Sequence, residues 1–439
     1  MSDRRFNDLF KGWDGTREGR EAYEIISALH PICRSITGNG LRESLRLLHE
    51  HVPLSLREVP SGTRVFDWIV PKEWNIRDAC VKNSCGERVV DFRKCNLHVV
   101  NYSVPVSQKM RLAELRSHLF TLPEAPDWVP YRTSYYNETW GFCLSHRQLE
   151  ALTDGDYEVS IDSTLEDGHL TYGEFRIQGA TDDEVLISAH SCHPSLCNDN
   201  LSGMAVATKL AQHLAGLSLR YSYRFLWIPG TIGAITWLAL NESALPRIKH
   251  GLVLSCVGDP GRFHYKRSRR GNAEIDRAVE HVLHHSGSDF QILDFAPNGY
   301  DERQYGSPGI NLPVGCFMRT PNGKYPQYHT SADDLDLVTA PALAESLYRL
   351  FCIVGTLEMN RRYENLNPKC EPQLGRRGLY RQMGGTSSHE SEEAMLWVLN
   401  FSDGAHSLLD IAERSGLNFK TMDAAAEALR DHGLLRRLG

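Results

Sequence analysis

Residues 184–213, EVLISAHSCHPSLCNDNLSGMAVATKLAQH, concentrate side chains able to hold a metal ion. An apolar run, EVLISA, ends on His190, and a turn-rich loop then carries His193, Asp199 and the thiols Cys192 and Cys197. A helix of small residues begins near Ser202. Open α/β sheets gather ligands beyond the carboxyl ends of their strands, so this order delivers His190, His193 and Asp199 to the place where sites form. Imidazole and carboxylate are donors that zinc accepts, and a catalytic zinc site takes about three from protein with one position left for water. The competing reading is a loop of solvated histidines with a helix cap at Asn200 or Ser202.

A second segment, KYPQYHTSADDLDLV at 324–338, sets His329 in a polar loop. It follows the strand-like PVGCFM and precedes a Ser/Asp-rich helix start. Alone, such a histidine belongs to the surface. Beside the first cluster it completes a ligand set of His190, Asp199 and His329.

The elements that must position these groups have a readable texture. Ile25, Ile26, Leu29, Leu41, Leu45, Leu47 and Leu48 recur at helical steps over residues 20–50. From about Leu56 to Val106 short β-rich runs (VFDWIV, ERVVDF, LHVVNYSVPV) are separated by Gly, Pro and Asn. After PEAPDWVPYRTSYY, strand-like and helix-like segments alternate, which predicts an α/β sandwich around a mixed sheet. Residues 365–377 turn polar and rich in Pro, Gly and Arg, as interdomain linkers do. Beyond them EEAMLWVLNF, SLLDIAERSG and FKTMDAAAEALRDHGLL predict three short helices and a wing. The third helix sets Asp423, Glu427 and Asp431 against Lys420 and Arg430, a poor match to phosphate. A docking or lid role is expected of this unit, not nucleic-acid binding.

Composition bounds the rest. The 439 residues are 41% hydrophobic and 23% charged, with a net charge of −7 that argues against a nucleic-acid backbone as the main partner. The start, MSDRRFNDLFKGWDG, lacks the apolar core of an export signal, and no later stretch approaches eighteen uncharged apolar residues. A cytoplasmic protein acting away from membranes is expected. Its eleven cysteines have no repeated spacing, as suits reduced, mostly buried thiols.

The order strand–His–loop–NDN–SG–helix, with Y-H-T-S-x-D far downstream, resembles the di-zinc aminopeptidases that include bacterial leucyl aminopeptidase and glutamate carboxypeptidase. The chain is most similar to a subgroup with a small β-rich insert and a C-terminal winged helix. VFDWIVPKEWNIRDA, LHVVNYSVPV, HPSLCNDNLSG, GTIGAITWLA, CVGDPGRFHYKRSRRGN, YDERQYGSPG and MRTPNGKYPQYHTSADDL carry the likeness across almost the whole length. It implies an α/β/α aminopeptidase-like sandwich over residues 1–60 and 120–362, a β-rich inserted domain over 61–119, and a linker with winged helix over 363–439. The resemblance also implies zinc, with His190 as first histidine, Asp199 as metal-bridging aspartate and His329 as last histidine.

Other family positions differ. The resemblance places an adjacent glutamate pair, one a base and one a ligand, at Gly230 and Thr231. It places a further aspartate ligand near Ser255, and the aspartate that steadies the first histidine at Cys192. One zinc held by His190, Asp199 and His329 is therefore favoured over two, with His193 as an extra ligand or proton carrier. A zinc-bound water still gains from a nearby carboxylate that accepts its proton. NGYDERQYGSPG at 298–309 offers Glu302 as first candidate for general acid/base, with Asp301 beside it. A solvated pair with salt bridges to Arg303 is the alternative. Asp259 could be a fourth ligand or bind a substrate amine. Arg319 could orient substrate or stabilise an oxyanion, or else pair with Asp333 or Asp334. Lys266, Arg267, Arg269 and Arg270 could grip a carboxylate or phosphate, though such runs are usually solvated faces. The expected reaction is hydrolysis of an amide in a small peptide or aminoacyl substrate by a homo-oligomer. Acyl transfer or cyclisation, and a non-catalytic binding role, are the alternatives.

Overall fold

In the computed structural model, residues 10–380 and 386–438 are described. Residues 1–9, on which the expectation of no export signal partly rests, lie outside them. The main sheet has eight strands. In spatial order they are Ser55–Pro60, His169–Ile177, Ser222–Ile228, Glu184–His190, Ile248–Leu254, Val314–Met318, Phe263–Lys266 and Phe290–Leu293. The four central strands, from Ser222–Ile228 to Val314–Met318, run parallel, whereas the two beyond Ser222–Ile228 are antiparallel neighbours. Phe263–Lys266 returns antiparallel along the other side. Glu184–His190 is buried along its whole length, as expected of a strand covered on both faces by crossover helices.

Helices Gly15–Leu29, Asn39–His49, Gly203–Ala215, Glu274–His284 and Ala340–Met359 share one apolar core with the sheet. Helix Ile232–Leu240 belongs to a second core, on the side of the β-rich module. Ala340–Met359 is long and apolar enough to cross a membrane, yet 67% of that window is buried inside the fold. It packs along Gly15–Leu29 and is a core helix.

The fold is the mixed-sheet aminopeptidase-like sandwich with added β structure and a winged helix. The β-rich module reaches beyond residues 61–119. Its four-stranded sheet, in the order Arg88–Asp91, Glu73–Lys82, Asp156–Glu166, Val106–Arg111, takes a central strand from 156–166. Long-range pairing of that strand leaves no local mark, since its alternating pattern would serve any sheet equally. Strand Arg362–Asn365, which ends where the stretch read as a linker starts, lies at the centre of the winged unit's sheet between Asp403–Ser407 and Leu435–Leu438. Helices Thr386–Phe401, Leu408–Ser415 and Phe419–Asp431 complete that unit. It is docked firmly. The Phe419 N–H donates to His281 Nε2 at 2.9 Å, Leu409 N–H donates to Asn360 Oδ1 at 3.0 Å, and Arg277 pairs with Asp410 and Glu413. Two of the acids on its third helix, Asp423 and Glu427, are buried rather than displayed.

Candidate metal centre

His190 closes the central strand, so its imidazole leaves the sheet where the parallel strands end. The loop that follows turns back over this edge and brings Asp199, fully buried, against it. His190 Nε2 lies 2.7 Å from Asp199 Oδ1. His329 Nε2 lies 3.1 Å from Oδ2 of the same carboxylate, and His193 Nδ1 is 3.3 Å from that oxygen. Donor atoms of His190, His193 and Asp199 all fall within 4.8 Å of one another. Three imidazoles thus surround one carboxylate, the last of them 130 residues beyond Asp199. Burial pushes His190 down to about 4, against the pull of Asp199, so the ring is neutral near pH 7. Asp199 is held well below the usual carboxylate range: its burial acts upward, and the imidazoles of His193 and His190 outweigh it. Imidazole nitrogens and a carboxylate oxygen are donors that zinc binds.

Neighbouring groups fix this arrangement. Asn200 donates from Nδ2 to His190 Nδ1 at 3.2 Å and to the Leu254 carbonyl at 2.9 Å, and its Oδ1 accepts the Cys256 N–H. It ties two adjacent strand ends together, and Gly203 leaves it room, since a Cβ there would lie 2.5 Å from the Asn200 amide. Asp333 accepts the N–H groups of Asn198 and Asp199 at 2.6 and 3.1 Å. Beneath the loop, the buried Arg34 donates from Nε to the His193 carbonyl at 3.0 Å and from Nη1 to the Leu29 carbonyl. Second contacts of this kind set the orientation and basicity of metal ligands.

Several candidates sit differently from expectation. Cys192 lies outside the donor group: its sulfur accepts the Gly230 N–H at 3.3 Å, and Asn200 contacts His190 Nδ1 in place of the aspartate that the resemblance puts at 192. Asp259 spends its oxygens on Asn198, Gly261 and Thr320, leaving none for a metal or an amine. Arg319 is not at the site and pairs with neither Asp333 nor Asp334. It lies over Phe263, with Nη1 3.1 Å from Glu345 and Nε donating to the Gly261 carbonyl. The basic run is structural as well. Lys266 pairs with Glu302, Arg267 with Glu280 and Asp294, and Arg269 and Arg270 bind Asn311. A helix-to-strand contact of this sort is invisible in sequence, because both partners look like surface charges.

Glu302 and Asp301 are both buried, not a solvated pair. Glu302 Oε1 is engaged by Lys266 and by the Tyr300 N–H, while its Oε2 has no partner. Asp301 Oδ1 accepts the Thr231 N–H at 2.7 Å, and its Oδ2 has no partner. Burial raises Asp301 to about 7, and His193 acts in the opposite sense. Aromatic rings cover the cluster. Tyr131 stands edge-on to His193 and His329, each at 5.1 Å, Tyr328 stacks on His329 at 3.9 Å, and Tyr300 stacks on His190 at 3.5 Å. Solvent reaches the centre mainly at His329, whose side chain is 34% exposed. No sequence pattern marked these tyrosines. Only their convergence does.

A mixed sheet with this cluster at its strand ends defines an aminopeptidase-like domain, here carrying a C-terminal winged helix. The chain belongs to the family described as a domain of unknown function, DUF4910, matched over residues 23–360, and residues 361–437 match a winged helix-turn-helix family. A relative from Clostridium acetobutylicum is 54% identical over 424 residues, covering 96% of this chain and 98% of its own. It is provisionally named a polysaccharide biosynthesis protein with an aminopeptidase-like domain. The crystal structure of a provisionally assigned peptidase from the same organism superposes with a TM-score of 0.94 at 52% identity, covering 98% of this chain and 99% of that one. A zinc aminopeptidase from Bacillus subtilis superposes with a TM-score of 0.55 at 14% identity, over 76% of this chain and 94% of its own, which is a likeness of fold.

Proposed function

We propose that the chain is a zinc-dependent hydrolase of an amide bond in a small peptide, aminoacyl or N-acyl substrate. The observation that carries this reading is the buried Asp199 carboxylate with His190, His193 and His329 converging on it. Zinc is the ion named for the Bacillus subtilis fold neighbour, and the nitrogen and oxygen donors present suit it. His190, Asp199 and His329 would hold the ion, with His193 as a further donor. When bound, zinc supplies Lewis acidity and a water of lowered pKa.

The chain's own groups supply the rest. Asp301, with one free oxygen and an affinity for protons near neutrality, suits a group that takes a proton and returns it to a leaving amine. Glu302 also keeps one oxygen without a partner, but its other oxygen is committed to Lys266, and Asp301 is preferred for its raised affinity for protons. Tyr131 and Tyr328 pack against His329, and the burial of His190, His193 and Asp199 strengthens the electrostatic interactions among them.

The test is a screen of the full chain, with and without zinc, on dipeptides, aminoacyl amides and N-acyl amino sugars. The last class is included because the 54% identical relative is named for polysaccharide biosynthesis. Zinc-dependent release of free amine, abolished in His190→Ala, supports the proposal. Coupled or cyclised product in place of hydrolysis would favour acyl transfer on the same scaffold.

A further inference from the structure

Tyr300 stands in an unusual relation to the cluster. Its ring lies nearly flat on His190, with centroids 3.5 Å apart and planes 23° apart, and edge-on to His193 at 6.1 Å. Its hydroxyl reaches past His190 to within 3.7 Å of Cys192 Sγ. A Cβ built on Gly230 would fall 2.1 Å from that hydroxyl oxygen and 2.6 Å from two ring carbons. Ring and glycine are therefore complementary: the ring is seated only because position 230 has no side chain.

The two faces of Asp199 differ accordingly. His193 and His329 approach Oδ2, and His329 keeps that side partly open. His190 approaches Oδ1, and the Tyr300 ring covers one face of His190 and fills the space beside Gly230. No carboxylate besides Asp199 belongs to the donor group among the described residues. A second divalent ion on the Oδ1 side would have at most two protein donors, Asp199 and a His190 given up by the first ion. Two donors fall short of the three or four that a protein zinc site needs.

We propose that Tyr300 makes this a one-ion centre, by occupying the space beside Gly230 from which a further donor for a second ion would have to come. The inference rests on the zinc reading above but concerns stoichiometry, which activity alone does not report. The ring is what excludes, not the hydroxyl. Tyr300→Phe should therefore keep one site, whereas removing the ring and restoring a carboxylate at position 230 should create a second.

The experiment uses the full chain, stripped with chelator, titrated with zinc alone and read by calorimetry and by metal analysis after desalting. Wild type and Tyr300→Phe are expected to take one equivalent. Tyr300→Ala combined with Gly230→Glu is expected to take two, and Gly230→Glu alone no more than one. Cobalt provides a second readout that does not depend on the double variant folding. Substituted wild type should show the spectrum of isolated cobalt, without magnetic coupling between neighbouring ions. Two equivalents or a coupled cobalt pair in wild type would overturn the one-ion proposal and leave the metal reading standing. No zinc at all in wild type would overturn both, and a folded double variant held at one equivalent would overturn the part assigned to Tyr300.

Discussion

Asp333 grips Asp199 by its backbone. One oxygen accepts the Asn198 N–H at 2.6 Å and the other accepts the Asp199 N–H at 3.1 Å, while Tyr325 donates its hydroxyl to the second at 2.9 Å. The loop that aims the Asp199 carboxylate at three imidazoles is thus pinned from the segment that also carries His329. Loss of such supporting contacts typically weakens metal binding about 10- to 100-fold. Asp333→Ala should show that loss in a competition titration against a chromophoric chelator, with the fold retained by circular dichroism. Unchanged affinity would remove Asp333 from the account.

Asp301 and Glu302 are adjacent and both buried, and they should behave differently. If Asp301 accepts the proton, turnover should rise with pH through about 7 as its carboxyl ionises. Asp301→Asn should keep zinc and flatten that limb. Glu302→Gln should leave the pH limb in place and lose stability, because Lys266 is then buried without its counter-charge, a change that costs about 3–5 kcal/mol. A lost limb in the glutamine variant with an intact one in the asparagine variant would reverse the assignment.

Arg319 holds the end of strand Val314–Met318 to helix Ala340–Met359 through Glu345 and the Ala342 carbonyl. Arg319→Ala should lower stability by about 1–3 kcal/mol, the range for removing a charge-assisted hydrogen bond, as read by urea denaturation. Zinc stoichiometry should be unchanged. A variant of wild-type stability that lost only turnover would restore Arg319 to the substrate.

The sequence and the structure agree where chemistry is encoded locally. An apolar run ending on His190 marks a strand end, the turn-rich loop after it carries Asp199, and the downstream histidine in YHTS converges on the same carboxylate. The fold class was legible for the same reason, since alternating strands and helices leave periodic marks. Arg319 and Lys266 were not legible. Each finds a carboxylate brought close by tertiary packing, 26 and 36 residues away in the chain. Tyr300 was hidden more deeply, because its place depends on an absence at Gly230, 70 positions earlier.

Arg42 joins the helix Asn39–His49 to the β-rich module by a two-pronged pair with Glu73, 2.7 Å on both arms, and also pairs with Glu58. Hydrogen bonding from Arg42 lowers Glu73 to about 2 against its partial burial. A carboxylate held below its unfolded value stabilises the fold above about 4.5 and loses that contribution as pH falls towards 2. Glu73→Gln should therefore be less stable than wild type at pH 7, and the difference should shrink on acidification across that window. A gap that stays constant to pH 2.5 in urea titrations would show that the pair does not link the two units.

The centre itself is tested most directly by the zinc content of the full chain purified without chelator, compared between wild type and Asp199→Ala. About one equivalent in wild type and none in the folded variant is the predicted result. Wild type that stays free of metal after dialysis against zinc, or an Asp199→Ala chain that binds it as tightly, would contradict the reading of these four side chains.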